Sequence, residues 1–274
     1  MTFRTYFIKT PLSVQTHFTF VEVFREATQY SRIYNLPFNS VCVCTRENQE
    51  NPSTAENLDT GTLYTFHKND VTLMPRNIPH RYIYTMANEH LCIHFRLEIF
   101  PGADVFAGKK ERKVLNSIPL RRECERIFRE KDPILKLAGC QEFALKICRM
   151  HWPEKYEFDL ESMKKFEPVL RRIRDGVSAE TQISELAGLL GYSEDYFTRS
   201  FRSVFGESPK QYLQKELFSR AAQLLSNPAM NVKTAAAELG FSSEFYFSKF
   251  FKRLSGVSPS EYRTHSKEIL QIGK

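Results

Sequence analysis

Two stretches of the chain are versions of one another: "ISELAGLLGYSEDYFTRSFRSVFGESPKQY" at 183–212 and "VKTAAAELGFSSEFYFSKFFKRLSGVSPSEY" at 232–262. Up to Gly191 and Gly240 the offset is 49 residues, and beyond them it is 50, so the second copy carries one extra residue in its turn. A repeat of this kind demands one local fold used twice. Each copy reads as a short apolar helix, a tight turn and a second helix. A small residue (Ala187, Ala236) four places before a glycine allows two helices to cross closely. The glycine can take the left-handed backbone that ends a helix. Ser193, with Ser242 or Ser243 in the second copy, can accept from the exposed N–H groups of the next helix.

At about 100° per residue the second helix of each copy divides into two faces. Phe197, Ser200, Phe201 and Val204 fall inward in the first, which leaves Asp195, Thr198, Arg199 and Arg202 outward, with Glu194 at the helix start. In the second, Phe247, Phe251 and Leu254 fall inward. Phe245, Ser248, Lys249 and Lys252 fall outward, flanked by Glu244 and Tyr246. This is the pattern of a helix-turn-helix pair. The outward chemistry suits double-stranded DNA. Arg199 can pair bidentately with guanine, Thr198 and Ser248 can bond base edges or phosphate, and Lys249 or Lys252 can hold phosphates. The acids Glu194, Asp195 and Glu244 repel phosphate, so they accept from cytosine, cap the helix or lie off the groove. Phe245 is either a thymine-methyl contact or a patch for another protein such as RNA polymerase.

These two copies, with "AAQLLSN" between them, resemble the paired helix-turn-helix region of the AraC/XylS family of transcription regulators over about residues 166–264. The resemblance implies a sequence-specific regulator whose two recognition helices enter two successive major grooves of one DNA face. One departure is visible: the family's usual Arg near Leu217 is absent, and Arg220 is the basic residue there.

At 274 residues the chain is long enough for two cores, and its formal charge of +7 agrees with an anionic partner. The first hundred residues read as short strands: "FTFVEVF", "SVCVCT", "TLYTFH", "VTLMP", "RYIYTM" and "LCIHFRLEIF". The polar stretch 46–61 reads as a long connecting loop. Two helices follow Gly108, with Ile134, Leu137, Ala138, Leu145 and Cys148 at helical spacing in the second, and a further helix runs from "SMKKFEPVLRRIRDG" to Gly176. The charged segment 153–162 is the linker candidate. "NDVTLMPRNIPHRYIY" at 69–84 is similar to the cupin-like sensor sheet of the same family, which implies a small-molecule effector and a homodimer formed through the helices at about 114–150.

The expectation is therefore a two-domain protein. Residues 1–155 form a mainly-β cupin-like barrel followed by helices, and 156–274 form an all-α domain with two helix-turn-helix units. A metal-dependent enzyme using His67, His80, His90 or His94 is the competing reading, but the H-x-H ligand pair is missing. No triad, phosphate loop or dinucleotide motif points to catalysis, a metal or a cofactor. The six cysteines contain no C-x-x-C pair and read as buried thiols, Cys42 and Cys44 sharing one strand face. No apolar run approaches a membrane span, so a cytoplasmic regulator is expected.

Overall fold

The computed structural model describes residues 15–25, 30–100, 103–106, 109–151, 160–227 and 229–264. The strands are β1 (Gln15–Arg25), β2 (Tyr30–Asn35), β3 (Asn39–Arg46), β4 (Thr54–Asn57), β5 (Leu63–Thr65), β6 (Asp70–Met74), β7 (Pro79–Tyr84), β8 (Glu89–Phe100), β9 (Ala103–Asp104) and β10 (Lys113–Asn116). The helices are α1 (Ile118–Arg129), α2 (Pro133–His151), α3 (Leu160–Lys165), α4 (Glu167–Gly176), α5 (Ile183–Gly188), α6 (Glu194–Phe205), α7 (Pro209–Ser226), α8 (Val232–Glu238) and α9 (Glu244–Ser255).

The strands do not close into the cupin-like barrel that the sequence suggests. They form two open antiparallel sheets, one running β1-β8-β3-β6-β10 with β9 on β8, the other β2-β7-β4-β5. Among the described residues no ladder joins one sheet to the other. Side-chain alternation explains the layers. Val41, Val43, Val71, Leu73, Leu91, Ile93 and Phe95 point to one face of the large sheet, where Leu120 and Cys124 of α1 and Cys140, Phe143 and Ile147 of α2 cover them. The second apolar group of the sheets, Ala55, Phe66, Met74, Tyr82 and Tyr84, forms a separate cluster. With one face committed to helices, the large sheet is a layer of its own rather than the wall of a barrel.

Three local readings also change. The stretch 46–61 contains β4, a strand with a single buried apolar residue, Ala55, held between β7 and β5 by their ladders. The helix expected through Gly176 is broken at Phe166, because Pro168 in the first turn of α4 has no N–H to continue the ladder from α3. In α2 the buried face is Cys140, Phe143, Ala144, Ile147 and Cys148, whereas Ile134 is 76% exposed and Leu137 and Leu145 are also exposed. Five cysteines are buried and Cys42 is partly exposed. The boundary at 155/156 and most of the linker candidate lie outside the described residues.

Among the described residues the buried apolar side chains gather in three clusters. The largest runs from the helix-covered sheet face to the first repeat, reaching Met163, Phe166, Leu186, Phe197 and Phe201. The second repeat has its own, built from Leu217, Phe218, Ala221, Ala235, Ala236, Leu239, Phe247 and Phe251.

Candidate nucleic-acid interface

Each repeat folds as helix, turn, helix for the reasons its residues supply. Gly191 and Gly240 have φ of 66° and 72°, a conformation that costs glycine little. The Tyr192 N–H donates to Ala187 O and the Phe241 N–H to Ala236 O, so the last carbonyls of α5 and α8 are satisfied as in a Schellman turn. Ser193 accepts from Tyr196 N at the start of α6, and Ser243, not Ser242, accepts from Tyr246 N at the start of α9. The left-handed Gly206 and Gly256 close the two helices.

The exposure pattern of α6 is repeated residue for residue in α9. Phe197 and Phe201 in one, and Phe247 and Phe251 in the other, are fully buried. Between the copies runs α7, which begins in a capping box of Ser208 and Gln211. Its Tyr212 ring meets Phe201 at 5.5 Å, and its Phe218 ring meets Phe251 at 5.2 Å. One helix thus grips the core of both units.

On the outward side of α6, Glu194, Asp195, Arg199 and Arg202 are exposed and Thr198 is half-buried. On α9, Glu244, Phe245, Tyr246, Lys249 and Lys252 are exposed and Ser248 is half-buried. Among the described residues Arg199, Arg202, Lys249 and Lys252 make no ion pair with a carboxylate. Four cations therefore face solvent at matched positions. Phe245 is 71% exposed and Tyr246 60%, their rings meeting edge to face with centroids 5.8 Å apart. Tyr196, 50% exposed, stands at the α6 place that matches Tyr246, a residue the 50-residue offset would have found. Arg220 lies off this face, pairing with Glu238 of α8 at 3.4 Å.

One buried constellation has no signal in the sequence. Glu216 of α7 receives Arg76 at 2.6 Å and Arg96 of β8 at 2.8 Å, and Arg96 also meets Glu98 at 2.9 Å. Ser219 donates to Pro37 O at 3.1 Å. Burial raises the Glu216 carboxyl, but the two guanidiniums outweigh it and hold it at about 2. The residues brought together are 120 and 140 positions apart, and they tie the sheets to the helix between the repeats.

Among the described residues no group of His, Cys, Asp and Glu suited to a metal ion occurs. Burial first and the Arg112 charge second lower His80 and His90 to about 4, so both are neutral. His94 packs its ring against Phe38 at 4.7 Å, and exposed His67 lies 3.8 Å from Glu47. No helix among the described residues is long and apolar enough to cross a membrane.

Residues 186–265 match the family model described as a helix-turn-helix domain. The HTH-type transcriptional regulator YisR of Bacillus subtilis is 34% identical over 93 residues, 34% of this chain and 32% of its own length. The RCS-specific HTH-type transcriptional activator RclR of Escherichia coli is 25% identical over 232 residues, 77% of this chain and 81% of its own length. The chain therefore spans about a third of YisR and about four-fifths of RclR. Apo ToxT from Vibrio cholerae superposes with a TM-score of 0.64 at 15% identity, covering 89% of this chain and 96% of that one. ToxT with an unsaturated fatty acid bound gives 0.60 at 16%, covering 89% and 94%. At that identity the likeness concerns the fold. YisR and RclR are both named as regulators of transcription. Residues 186–265 are thus a helix-turn-helix domain made of two repeated units, and over most of its length the chain has the fold of ToxT.

Proposed function

We propose that the chain is a sequence-specific DNA-binding regulator of transcription that reads two successive major grooves with α6 and α9. The observation that carries this reading is the matched outward face: two helices of identical exposure pattern, each presenting two cations without a carboxylate partner among the described residues. Successive grooves on one face of a duplex recur at about 34 Å, and the half-sites need not be palindromic. Arg199 reads guanine, Thr198 and Ser248 bond base edges or phosphate, and Arg202, Lys249 and Lys252 hold the backbone. Glu194 and Glu244 stand in the first turns, where a carboxylate favours the helix dipole.

Selection from random duplexes followed by footprinting tests the reading, with protection of two adjacent grooves as the expected result. Arg199→Ala should cost about 1–3 kcal/mol on the selected site and relax its base preference, while Lys252→Ala should weaken all sequences alike and flatten the salt slope. Equal losses on selected and random DNA for Arg199→Ala would refute base reading.

The remaining partners follow from the rest of the surface. A small-molecule effector is favoured by an open crevice between sheet and helices, about 780 Å³ including its solvent-filled mouth, lined by Arg76, Asp104, Phe106, Tyr212, Lys215 and Glu216. ToxT, which shares this fold, has an unsaturated fatty acid bound in one of its structures. A homodimer uses the exposed Ile134, Leu137 and Leu145 of α2. Phe245 touches either a thymine methyl or RNA polymerase, and comparing Phe245→Ala in DNA binding with transcription separates the two.

A further inference from the structure

Four of the six cysteines are placed to be inert. Burial pushes up the thiols of Cys44, to about 12, and of Cys140, to about 11, and raises Cys124 and Cys148 as well. Cys42 and Cys92 are placed differently. They are directly opposed in the antiparallel ladder of β3 and β8, and their Sγ atoms lie 2.6 Å apart. A directly opposed pair has the Cα spacing a disulfide accepts, and a bond of about 2.05 Å asks for only a small approach of the two sulfurs.

The surroundings leave one of the two sulfurs within reach of solvent. Cys42 is partly exposed although β8 and β6 flank its strand, so a small solute has a way in. The Ser40 hydroxyl lies 3.1 Å from the Cys42 sulfur and can donate to it. Arg112, only 5% exposed, has no carboxylate within ion-pair distance among the described residues, and its partners include the Tyr64 and Phe66 rings, the Met74 sulfur and the Tyr82 hydroxyl. Arg112, Cys42 and Cys92 all bear on the buried Tyr82 hydroxyl. A buried cation without a counter-ion stabilises an anion beside it, and an electropositive, partly exposed setting is the one in which cysteines react.

We propose that Cys42 and Cys92 are a redox dithiol, closed to a disulfide by a small two-electron oxidant of the peroxide or hypohalous-acid class. With hydrogen peroxide, the Cys42 thiolate attacks one oxygen, the O–O bond breaks, and the departing oxygen leaves as water after taking a proton. Cys42 then carries a sulfenic acid. The Cys92 sulfur attacks the Cys42 sulfur, the S–S bond forms, and the sulfenic oxygen leaves as a second water with the Cys92 proton. Two thiols and one peroxide give one disulfide and two waters, two electrons passing from sulfur to oxygen. With hypochlorous acid the first leaving group is hydroxide and the second is chloride, and the protein product is the same.

Closure has a route to the helices. Cys92, His94, Arg96 and Glu98 alternate onto one face of β8, and Arg96 holds Glu216 of α7. Drawing Cys92 toward β3 therefore acts four residues from the contact that ties the sheets to the helix gripping both repeats. Oxidation should change DNA affinity, a consequence that rests on the DNA-binding reading above.

The test is peptide mapping of the reduced full chain after about one equivalent of hydrogen peroxide or of hypochlorite, in separate arms, with the remaining thiols alkylated. A Cys42–Cys92 linked peptide is expected in at least one arm, and the arm identifies the oxidant. It should persist in Cys44→Ser and vanish in Cys42→Ser. The affinity of the wild type for its selected duplex should shift by about fivefold or more on oxidation and return with dithiothreitol, while Cys42→Ser shows no shift. Absence of the linked peptide in both arms, linkage between other cysteines, or an equal shift in Cys42→Ser overturns the proposal. If the reduced chain binds no duplex, the DNA-binding reading fails while the peptide map still decides the dithiol.

Discussion

Replacing Glu216 by Gln removes one charge from the centre of the contact between sheets and helices and keeps its shape. Glu216 accepts from Arg76 at 2.6 Å and from Arg96 at 2.8 Å, and its carboxyl is held at about 2 against an ordinary 4.5. That depression corresponds to about 3 kcal/mol of folding stability at neutral pH. The variant leaves Arg76 without a bonded carboxylate, whereas Arg96 keeps Glu98 at 2.9 Å. The loss should thus fall at the lower end of the roughly 3–5 kcal/mol found for broken buried pairs. Because the folded value lies below the unfolded one, the contribution is whole above pH 4.5 and is lost as pH falls toward 2, about half having gone by pH 3. Urea unfolding of both proteins at about pH 7, 5 and 3.5 measures the difference. A variant within about 0.5 kcal/mol of wild type at neutral pH, or a gap that widens on acidification, would refute the reasoning.

Other outcomes follow from single residues. Gly206→Ala should cost about 1 kcal/mol, since its φ of 75° strains alanine but its surroundings are open. Gly256→Ala should cost distinctly more in urea unfolding, because its Cβ would run into the Ile33 carbonyl of β2, and equal costs would show that β2 does not rest on the end of α9. Phe251→Ala should lose about 3–5 kcal/mol as a core deletion, and unchanged melting would contradict its burial. His80 and His90 stay neutral to about 4 in the folded chain but charge near 6.5 when unfolded, so stability should fall as pH drops from 6.5 toward 4. His80→Gln should flatten that part of the profile.

The repeat was legible because its information is local. The spacing of Ala187, Gly191 and Phe197, doubled at Ala236, Gly240 and Phe247 with one extra residue in the second turn, fixes a turn and two helices through contacts a few residues apart. Helical angle then sorted Arg199 and Lys249 from Phe201 and Phe251 with no further knowledge. The sheets were harder to read. β4 hid in a polar stretch because its ladder partners, not its side chains, make it a strand. Short alternating runs also fit a closed barrel and two open layers equally well, and the choice turned on which face α1 and α2 cover.

The sequence alone determined the duplicated unit, its turn glycines, the Ser193 cap and the two faces of each second helix, since neighbours within a few residues along the chain enforce all of these. Only the tertiary structure decided that Glu216 meets Arg76 and Arg96, that Cys42 opposes Cys92, and that the strands form open layers. These depend on strand register and on packing between segments up to 140 residues apart, and nothing in the local pattern of either partner encodes the other.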